Sequence, residues 1–423
     1  MPPTTTNLPP FSIMCKPVCG TCNLDCAYCY YTSKAKELYP DVARPEMSDE
    51  VLEAYTRQYL QAMPVQSQFM WQGGEPLLAG MDFFERALAL QSEHKLDGQT
   101  VTNGLQTNGT LIDERWCELF KANGFLVGVS IDGTPQWHDY FRRDHAGNPS
   151  FHRAWAGLDF LKTFGVEFNV LVTLNSANIV HGGDIYRWFT NRGAQYLQFI
   201  PILERDPQGV PQPFSCSGEQ YGRFLLDVYE VWRARDVGRV SVRLFDSVMH
   251  NELFGAPSTC CYSQRCANAY VLEFNGDLFV CDHFVFKEWR VGNIMDRPLA
   301  ELVLDPLIER FATLKTDLPE ACRDCEYLPF CHGGCPKHHW PIGPDAGRVN
   351  HYCEGLKLFF REALSDLKQL AHDLQAGGGQ GEHASASRSV APNANQGPAA
   401  RPKRNEPCPC GSGRKFKLCC GRK

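Results

Sequence analysis

The stretch CKPVCGTCNLDCAYCYY, residues 15–31, places five cysteines within fifteen positions and can be read in two registers. Cys15, Cys19 and Cys22 are spaced C-x3-C-x2-C, and Cys22, Cys26 and Cys29 repeat that spacing. Three thiolates can bind three irons of a cubane iron–sulfur cluster and leave the fourth iron open to another ligand. Because the two triplets share Cys22, only one of them is expected to be a cluster ligand set.

The composition predicts a large cytoplasmic protein. The chain has 423 residues, of which 43% are hydrophobic and 21% are charged. No apolar run approaches the roughly 18 residues of a membrane span, and the start MPPTTTNLPPF lacks the basic and apolar segments of a secretory signal. The net charge of −6 argues against nucleic-acid binding by the body of the chain.

The cysteines point to metal chemistry. There are 20 of them, clustered at 15–29, 260–281, 322–353 and 408–420, with Cys117 and Cys216 alone. A disulfide framework is typical of small exported domains. Since no export signal is present, metal or iron–sulfur ligation is the better interpretation of these clusters.

The first half of the chain alternates short β-rich runs with amphipathic stretches. Strands are predicted at 67–76, 104–110, 125–133, 166–175 and 195–203. Helices are predicted at 47–63, 81–94, 112–123, 150–164 and 182–192. This alternation predicts an α/β fold with a parallel sheet, as a partial or full barrel, and places the chemistry at the carboxyl ends of the strands.

The pattern divides the chain into five parts. A barrel is predicted at 10–205, a helical connection at 206–255 and a cysteine-rich domain that closes with a helix at 256–374. Residues 375–404 are mostly Gly, Ala, Ser, Pro, Asn and Gln, a composition that predicts a flexible linker. The basic residues 405–423 then form a separate small module.

The second cysteine register resembles the radical S-adenosylmethionine (SAM) superfamily. That superfamily carries a C-x3-C-x-aromatic-C loop after its first barrel strand, and CNLDCAYC has Tyr28 at the aromatic position. QGGEP at 72–76 matches the Gly-Gly-Glu-like segment that holds the methionyl amino group there, with an ordinary glycine turn as the alternative. We therefore predict that Cys22, Cys26 and Cys29 bind the SAM cluster. Cys15 and Cys19 are expected to be bystanders or packed thiols.

A wider set of sequence segments is similar to the anaerobic sulfatase-maturating enzymes over about residues 10–370. It includes QGGEPLLAG, LQTNGTLID, VGVSIDG, YLQFIPIL and CDHFVF. The resemblance implies a six-stranded partial (β/α) barrel that binds SAM, followed by a SPASM domain with two auxiliary [4Fe-4S] clusters, for three clusters in all. It also implies SAM contacts at Tyr28, Gly74, Ser130, Arg142 and Leu203.

The second cysteine region holds enough thiols to ligate two cubanes fully. By resemblance to SPASM domains, one cluster is assigned to Cys260, Cys266, Cys281 and Cys335, and the other to Cys322, Cys325, Cys331 and Cys353. Two alternatives stay open: Cys261 is a rival to Cys260, and the C-x2-C pair Cys322 and Cys325 is also typical of zinc sites.

The tail CPCGSGRKFKLCC has the spacing C-x-C-x8-C-C, a tetrathiolate pattern suited to Zn2+. The predicted zinc ligands are Cys408, Cys410, Cys419 and Cys420. The tail resembles the SEC-C zinc motif of the bacterial preprotein-translocation ATPase, which implies docking on a partner such as export or ribosome-associated machinery. A further iron–sulfur site is the alternative.

The resemblance implies radical oxidation of a Cys or Ser residue in an unfolded or nascent sulfatase to Cα-formylglycine, with flavodoxin or ferredoxin as electron donor. Asp282, which follows Cys281, matches the family's proton acceptor. His283 is its competitor, and a purely structural Asp282 is the alternative. The rival functions are a SPASM peptide maturase that forms thioether or carbon–carbon crosslinks, and a non-catalytic iron–sulfur redox scaffold.

Overall fold

The computed structural model of the chain describes residues 8–266, 268–339 and 349–377, together with the single residues 405 and 415. The four predicted zinc ligands of the tail and most of the predicted linker lie outside the described residues. Within the described ranges, no helix is long and apolar enough to span a bilayer.

Ten strands of the described residues form one mixed sheet. They are β1 Ser12–Lys16, β2 Gln66–Trp71, β3 Thr100–Thr107, β4 Leu126–Ser130, β5 Glu167–Leu174, β6 Tyr196–Pro201, β7 Ser241–Val242, β8 Ala269–Glu273, β9 Asp277–Phe279 and β10 Arg290–Asn293. The spatial order is β10-β9-β8-β1-β2-β3-β4-β5-β6-β7. Strands β1 to β7 pair in parallel, β8 joins parallel to β1, and β9 and β10 are antiparallel additions.

Helices connect and cover these strands. They are α1 Tyr30–Leu38, α2 Asp49–Ala62, α3 Met81–His94, α4 Glu114–Ala122, α5 Pro135–Phe141, α6 Phe151–Phe164, α7 Gly182–Thr190, α8 Gly218–Arg235, α9 Arg243–Phe254, α10 Leu299–Leu302, α11 Pro306–Ala312, α12 Glu320–Arg323, α13 Leu328–Cys331 and α14 Cys353–Gly377.

The predicted partial barrel is confirmed, since strands β1 to β6 follow one another in space and alternate with helices. The five predicted strands overlap β2 to β6, and the five predicted helices overlap α2, α3, α4, α6 and α7. Strand β1 is paired on its far side with β8 from the cysteine-rich region. The six barrel strands therefore do not close into a full barrel. Strand β8 of the cysteine-rich region extends the barrel sheet beyond β1.

The last helix anchors the C-terminal part of the described chain. Helix α14 packs against α8 and α9 and buries Leu356, Phe359, Ala363 and Leu367 at helical spacing. It ends at Gly377, three residues into the segment predicted as linker. Helix α14, which closes the cysteine-rich region, is thus packed on the two helices of the helical connection.

Candidate functional site

The loop after β1 separates its cysteines into two groups. Cys15 and Cys19 are 0% and 1% exposed and belong to the hydrophobic core. Cys22 and Cys26 are half-buried and Cys29 is exposed. Burial raises the pKa of Cys26 to about 12, Arg142 opposes that rise, and the Cys22 and Cys29 thiolates add to it. The structure therefore brings together the three thiols predicted to bind the SAM cluster.

The cysteine loop is held in place by the QGGEP segment. The Gly74 N–H donates to the Cys19 carbonyl over 2.7 Å, and the Glu75 N–H donates to the Thr21 carbonyl over 2.8 Å. A Cβ on Gly74 would lie 2.0 Å from the Thr21 oxygen, so only glycine fits there. Gly74, a predicted SAM contact, is thus packed directly against the backbone that precedes Cys22.

The Glu75 side chain is buried and stabilises this segment through hydrogen bonds. Its fully buried carboxylate accepts hydrogen bonds from the Asn108 N–H and the Thr107 Oγ1, both at 2.8 Å. Burial raises the pKa of Glu75 to about 7, and these hydrogen bonds oppose that rise. The side chain of Asn108 in turn donates to Asn23 Oδ1 over 2.8 Å. The end of β3 is thereby tied to the cysteine loop.

A buried aspartate organises two of the predicted SAM contacts. Arg142 contacts Asp132 with both ends of its guanidinium, at 2.8 Å from Nε and 3.1 Å from Nη2. The Tyr28 hydroxyl donates to the same carboxylate. Asp132 was not predicted, although it lies in the quoted stretch VGVSIDG at the end of β4. Charge-assisted bonds of this kind hold both side chains in fixed orientations beside the cysteine loop.

The two other predicted SAM contacts lie at strand ends. Ser130 is the last residue of β4, and its hydroxyl accepts a hydrogen bond from Gln106 over 3.0 Å. Leu203 follows β6 and is 2% exposed. All five predicted SAM contacts therefore lie in the cysteine loop or after strands β2, β4 and β6, but their roles stay predictions.

Asp282 pairs with a buried lysine of the first strand. The Lys16 ammonium lies 2.6 Å from Asp282 Oδ1, and the Tyr30 hydroxyl donates to Oδ2. Burial, the largest influence, acts to raise the pKa of Asp282, but the charge of Lys16, the neighbouring His283 and the hydrogen bonds from Lys16 and Tyr30 together hold that pKa well below the usual range. Asp282 is therefore an ionised carboxylate in a largely buried setting, with a side chain 16% exposed.

This contact joins two predicted cluster loops. Tyr30 directly follows Cys29, and Asp282 directly follows Cys281. Lys16 and Tyr30 were missed at the sequence level because they carry no local motif and meet Asp282 only through folding. His283, the predicted competitor, is buried, and burial lowers its pKa to about 3. The His283 imidazole is therefore neutral near neutral pH.

Two further lysines flank Tyr30. The Lys34 ammonium donates to the His283 carbonyl over 2.6 Å and lies 5.2 Å from the Tyr30 ring centroid. The Lys337 ammonium lies 4.7 Å from the same centroid and 2.5 Å from Glu204 Oε1. Lys337 belongs to the cysteine-rich region and Glu204 follows Leu203, so this ion pair fastens the cysteine-rich region to the end of β6.

The second predicted auxiliary set lines a single cavity. Its volume is about 330 Å3, including space open to solvent, and its lining includes Cys322, Cys325, Cys331 and Cys353. These are the four thiols assigned together by resemblance. In a cubane each cysteine binds a different iron, so four thiols spread around a cavity fit such a cluster. Within the described residues, no three His, Cys, Asp or Glu side chains form a site for a single metal ion.

The first predicted auxiliary set is also brought together. Burial raises the pKa of Cys266, Cys281 and Cys335, and the Cys260 thiolate adds to the rise at each of them. Cys261 lies near Cys260 and Cys335 as well. The residues present fit a second cluster, while the choice of Cys260 over Cys261 stays a prediction.

Comparison with known proteins identifies the family. Residues 17–189 match the Radical SAM superfamily, residues 260–326 match the SPASM iron–sulfur cluster-binding domain, and residues 404–422 match the SEC-C motif. The serine-type anaerobic sulfatase-maturating enzyme of Bacteroides thetaiotaomicron is 38% identical over 384 residues, which cover 86% of this chain and 92% of that protein. The chain belongs to the anaerobic sulfatase-maturating enzymes.

Other members of this family match to a similar extent. The cysteine-type enzyme of Clostridium perfringens is 34% identical over 87% of this chain and 100% of its own length. The solved structure of native anSMEcpe with bound AdoMet and the Cp18Cys peptide superposes with a TM-score of 0.80 at 33% identity, covering 86% of this chain and 100% of that one. The resemblance and the fold expected from the sequence are confirmed.

A more distant structure shares the fold. Streptococcus suis SuiB bound to its precursor peptide SuiA has a TM-score of 0.56 at 16% identity, over 78% of this chain and 72% of that one. At this identity the likeness concerns the radical SAM and SPASM architecture alone.

Proposed function

We propose that this enzyme oxidises a Cys or Ser residue of a sulfatase polypeptide to Cα-formylglycine. Relatives of both the serine and the cysteine type match over most of the chain, and a solved relative holds AdoMet and a peptide together. The observation within this chain that carries the proposal is the Asp282 carboxylate, ion-paired to Lys16 and bonded to Tyr30 beside the SAM-cluster loop.

The cofactors of this proposal are SAM, three [4Fe-4S] clusters and one Zn2+. Cys22, Cys26 and Cys29 would leave one iron open for SAM. The two sets of the cysteine-rich region would each ligate a cluster fully. The zinc would be held by the four cysteines of the tail.

When bound, SAM and the open cluster supply the radical that removes a hydrogen atom from the β-carbon of the target residue. The remaining steps need a proton acceptor and an electron acceptor. The substrate radical is more acidic at its thiol or hydroxyl than the parent residue, so an ionised carboxylate is a sufficient base. Asp282 takes this proton while Lys16 and Tyr30 orient its two oxygens.

Electrons and atoms balance if an auxiliary cluster takes one electron. The target loses one hydrogen atom, one proton and one electron, which leaves an aldehyde from Ser or a thioaldehyde from Cys. Water then converts the thioaldehyde to the aldehyde and releases hydrogen sulfide. The first auxiliary set suits this electron transfer, because Cys281 is the neighbour of Asp282.

The partners of this proposal follow from the same chemistry. The substrate is an unfolded or nascent sulfatase segment in the cytoplasm, and a flavodoxin or ferredoxin reduces the SAM cluster. The SEC-C tail recruits the enzyme to export or ribosome-associated machinery. No step in this scheme requires nucleic acid or a membrane.

A peptide assay tests the function. The reconstituted enzyme is incubated with SAM, dithionite and a sulfatase-motif peptide carrying Cys or Ser at the target position. Mass spectrometry should show a loss of about 18 Da from Cys or about 2 Da from Ser, and a hydrazine probe should capture the aldehyde. A loss of about 2 Da without hydrazine capture would instead indicate a crosslinking maturase, and SAM that is not cleaved at all would indicate a redox scaffold.

A further inference from the structure

Lys315 is a buried cation within the cysteine-rich region. It ends a short 3-10 turn, Thr313–Lys315, after helix α11 and is 3% exposed. Its ammonium donates to the carbonyls of Cys261 at 2.8 Å and Cys260 at 3.1 Å. Among the described residues no carboxylate forms an ion pair with it. The chain thus buries a lysine whose ammonium donates hydrogen bonds to two backbone oxygens.

A buried ammonium without an anionic partner is costly in free energy. Negative charge on the cysteines around it would offset this cost. A [4Fe-4S] cluster with four thiolates is such a charge, and it becomes more negative when it is reduced.

Lys315 lies close to thiols of both sets. Burial raises the pKa of Cys266 to about 12, and Lys315 is the main influence that opposes the rise. Burial likewise raises the pKa of Cys335, and Lys315 again opposes it. Cys331 of the second set has its pKa raised to about 12 by burial, with Lys315 among the groups that lower it. The hydrogen bonds to the Cys260 and Cys261 carbonyls place the ammonium beside the first predicted set.

A second lysine offers a contrast. Lys357 lies near Cys353 and Cys322, both of the second set. Its side chain is 41% exposed and lies 3.5 Å from Glu354. Solvent and this carboxylate screen its charge, whereas Lys315 has neither form of screening.

We propose that Lys315 is a positioning residue for electron transfer, whose buried ammonium lies on the backbone of Cys260 and Cys261 and makes the first auxiliary cluster easier to reduce. The inference rests on the cluster assignment of the proposed function. A fixed positive charge stabilises the reduced cluster more than the oxidised one, and net charge is one of the factors that set iron–sulfur potentials. An auxiliary cluster held by these cysteines would accept one electron from the substrate radical, while the proton goes to Asp282.

The test compares charge variants by reductive titration followed by electron paramagnetic resonance. All are made in the full chain with Cys22, Cys26 and Cys29 changed to Ala, so that only the auxiliary clusters report. Lys315→Met removes the charge at similar length, and Lys315→Arg keeps it. Lys357→Met removes a charge that is already screened by solvent and by Glu354. Lys162 is an exposed lysine on the outer helix α6, and Lys162→Met is the matched control.

Lys315→Met should lower the equilibrium constant for one-electron reduction of the cluster about tenfold. This corresponds to a midpoint reduction potential about 59 mV lower. Lys315→Arg should keep the parent midpoints. Lys357→Met should shift one cluster by less, and Lys162→Met should shift neither. Parent midpoints in an iron-loaded Lys315→Met protein would overturn the inference.

Iron content separates this inference from the cluster assignment. A parent protein with fewer than about eight auxiliary irons per chain would contradict the assignment itself. If Lys315→Met loses iron, Lys315→Gln is titrated in its place. If both neutral variants lose iron and Lys315→Arg keeps it, Lys315 acts in cluster assembly and does not tune the reduction potential. Iron loss in Lys315→Arg as well would reduce Lys315 to a packing residue.

Discussion

The two C-x3-C-x2-C registers of the first cysteine stretch have the same spacing but lie in different environments. Cys15 lies within β1, on the same buried face as Ile13, and its thiol contacts Met47 at 4.0 Å. Cys19 is buried against the Tyr31 hydroxyl at 3.8 Å. Cys26 and Cys29 lie beyond these residues, where the backbone has left the sheet. Spacing alone therefore does not distinguish the two registers, and the burial of Cys15 and Cys19 in the core favours the second register as the ligand set.

The buried pair contributes to the shape of the loop. Cys19 has a positive φ of 50°, and its carbonyl accepts the hydrogen bond from Gly74. The backbone of Cys19, in the first register, thus helps to position the QGGEP segment. Cys26 and Cys29, in the second register, lie further along the same loop and outside the hydrophobic core. The following predictions test that division, from the largest expected effect to the smallest.

Cys26→Ala should abolish SAM cleavage and remove about four irons per chain, because two cysteines cannot hold a site-differentiated cubane. The double variant Cys15→Ala, Cys19→Ala should keep both iron and SAM cleavage, with a stability loss of about 1–2 kcal/mol from two small core cavities. Iron analysis and 5'-deoxyadenosine release measure the outcome. The opposite pattern of iron loss would make the first register the ligand set.

Asp282→Asn should lower formylglycine formation by about 100-fold or more, the usual contribution of a general base. The amide is nearly isosteric, so iron content and SAM cleavage should remain. Product is quantified by mass spectrometry of the sulfatase-motif peptide. His283→Gln is the matched variant: if it is the inactive one and Asp282→Asn forms product normally, the base has been assigned to the wrong neighbour.

Lys16→Met should change the pH dependence of product formation. Burial acts to raise the pKa of Asp282 and Lys16 holds it down, so loss of Lys16 should raise that pKa toward or above its ordinary value. A carboxylate base works only when ionised, and activity falls as pH drops through its pKa. The parent should therefore show no Asp282-linked acid limb near neutral pH.

The Lys16→Met variant should acquire that acid limb at a pH above the parent's. At neutral pH we expect product formation to fall by about tenfold. SAM cleavage without peptide serves as the control for an intact barrel. An unchanged pH profile in an iron-loaded variant would show that Lys16 does not act through Asp282.

Truncation after Gly377, the end of α14, should have the smallest effect on chemistry. It should remove one zinc per chain and leave turnover of a short peptide unchanged, since the module holds no residue of the barrel or SPASM sites. Metal analysis and the peptide assay measure both. Lost turnover at full iron content would contradict a purely recruiting role for the tail.

Local patterns were sufficient for much of this protein. The alternation of β-rich and amphipathic runs predicted strands β2 to β6, because each element carries its own periodicity over consecutive residues. Strand β1 is only five residues long, and β8 derives its position from pairing with β1. Neither shows a pattern strong enough to predict from its own residues.

The sequence by itself determined the family and the barrel, since these depend on motifs and on periodicity within consecutive residues, while the sets of cluster cysteines stay predictions taken from the resemblance. The tertiary structure decided which thiols are buried, that Lys16 meets Asp282 across 266 residues of chain, and that Lys315 donates to the carbonyls of Cys260 and Cys261. The reason is physical: burial and ion pairing depend on which distant strands and loops pack together. That packing is set by the β1–β8 pairing and has no local signature.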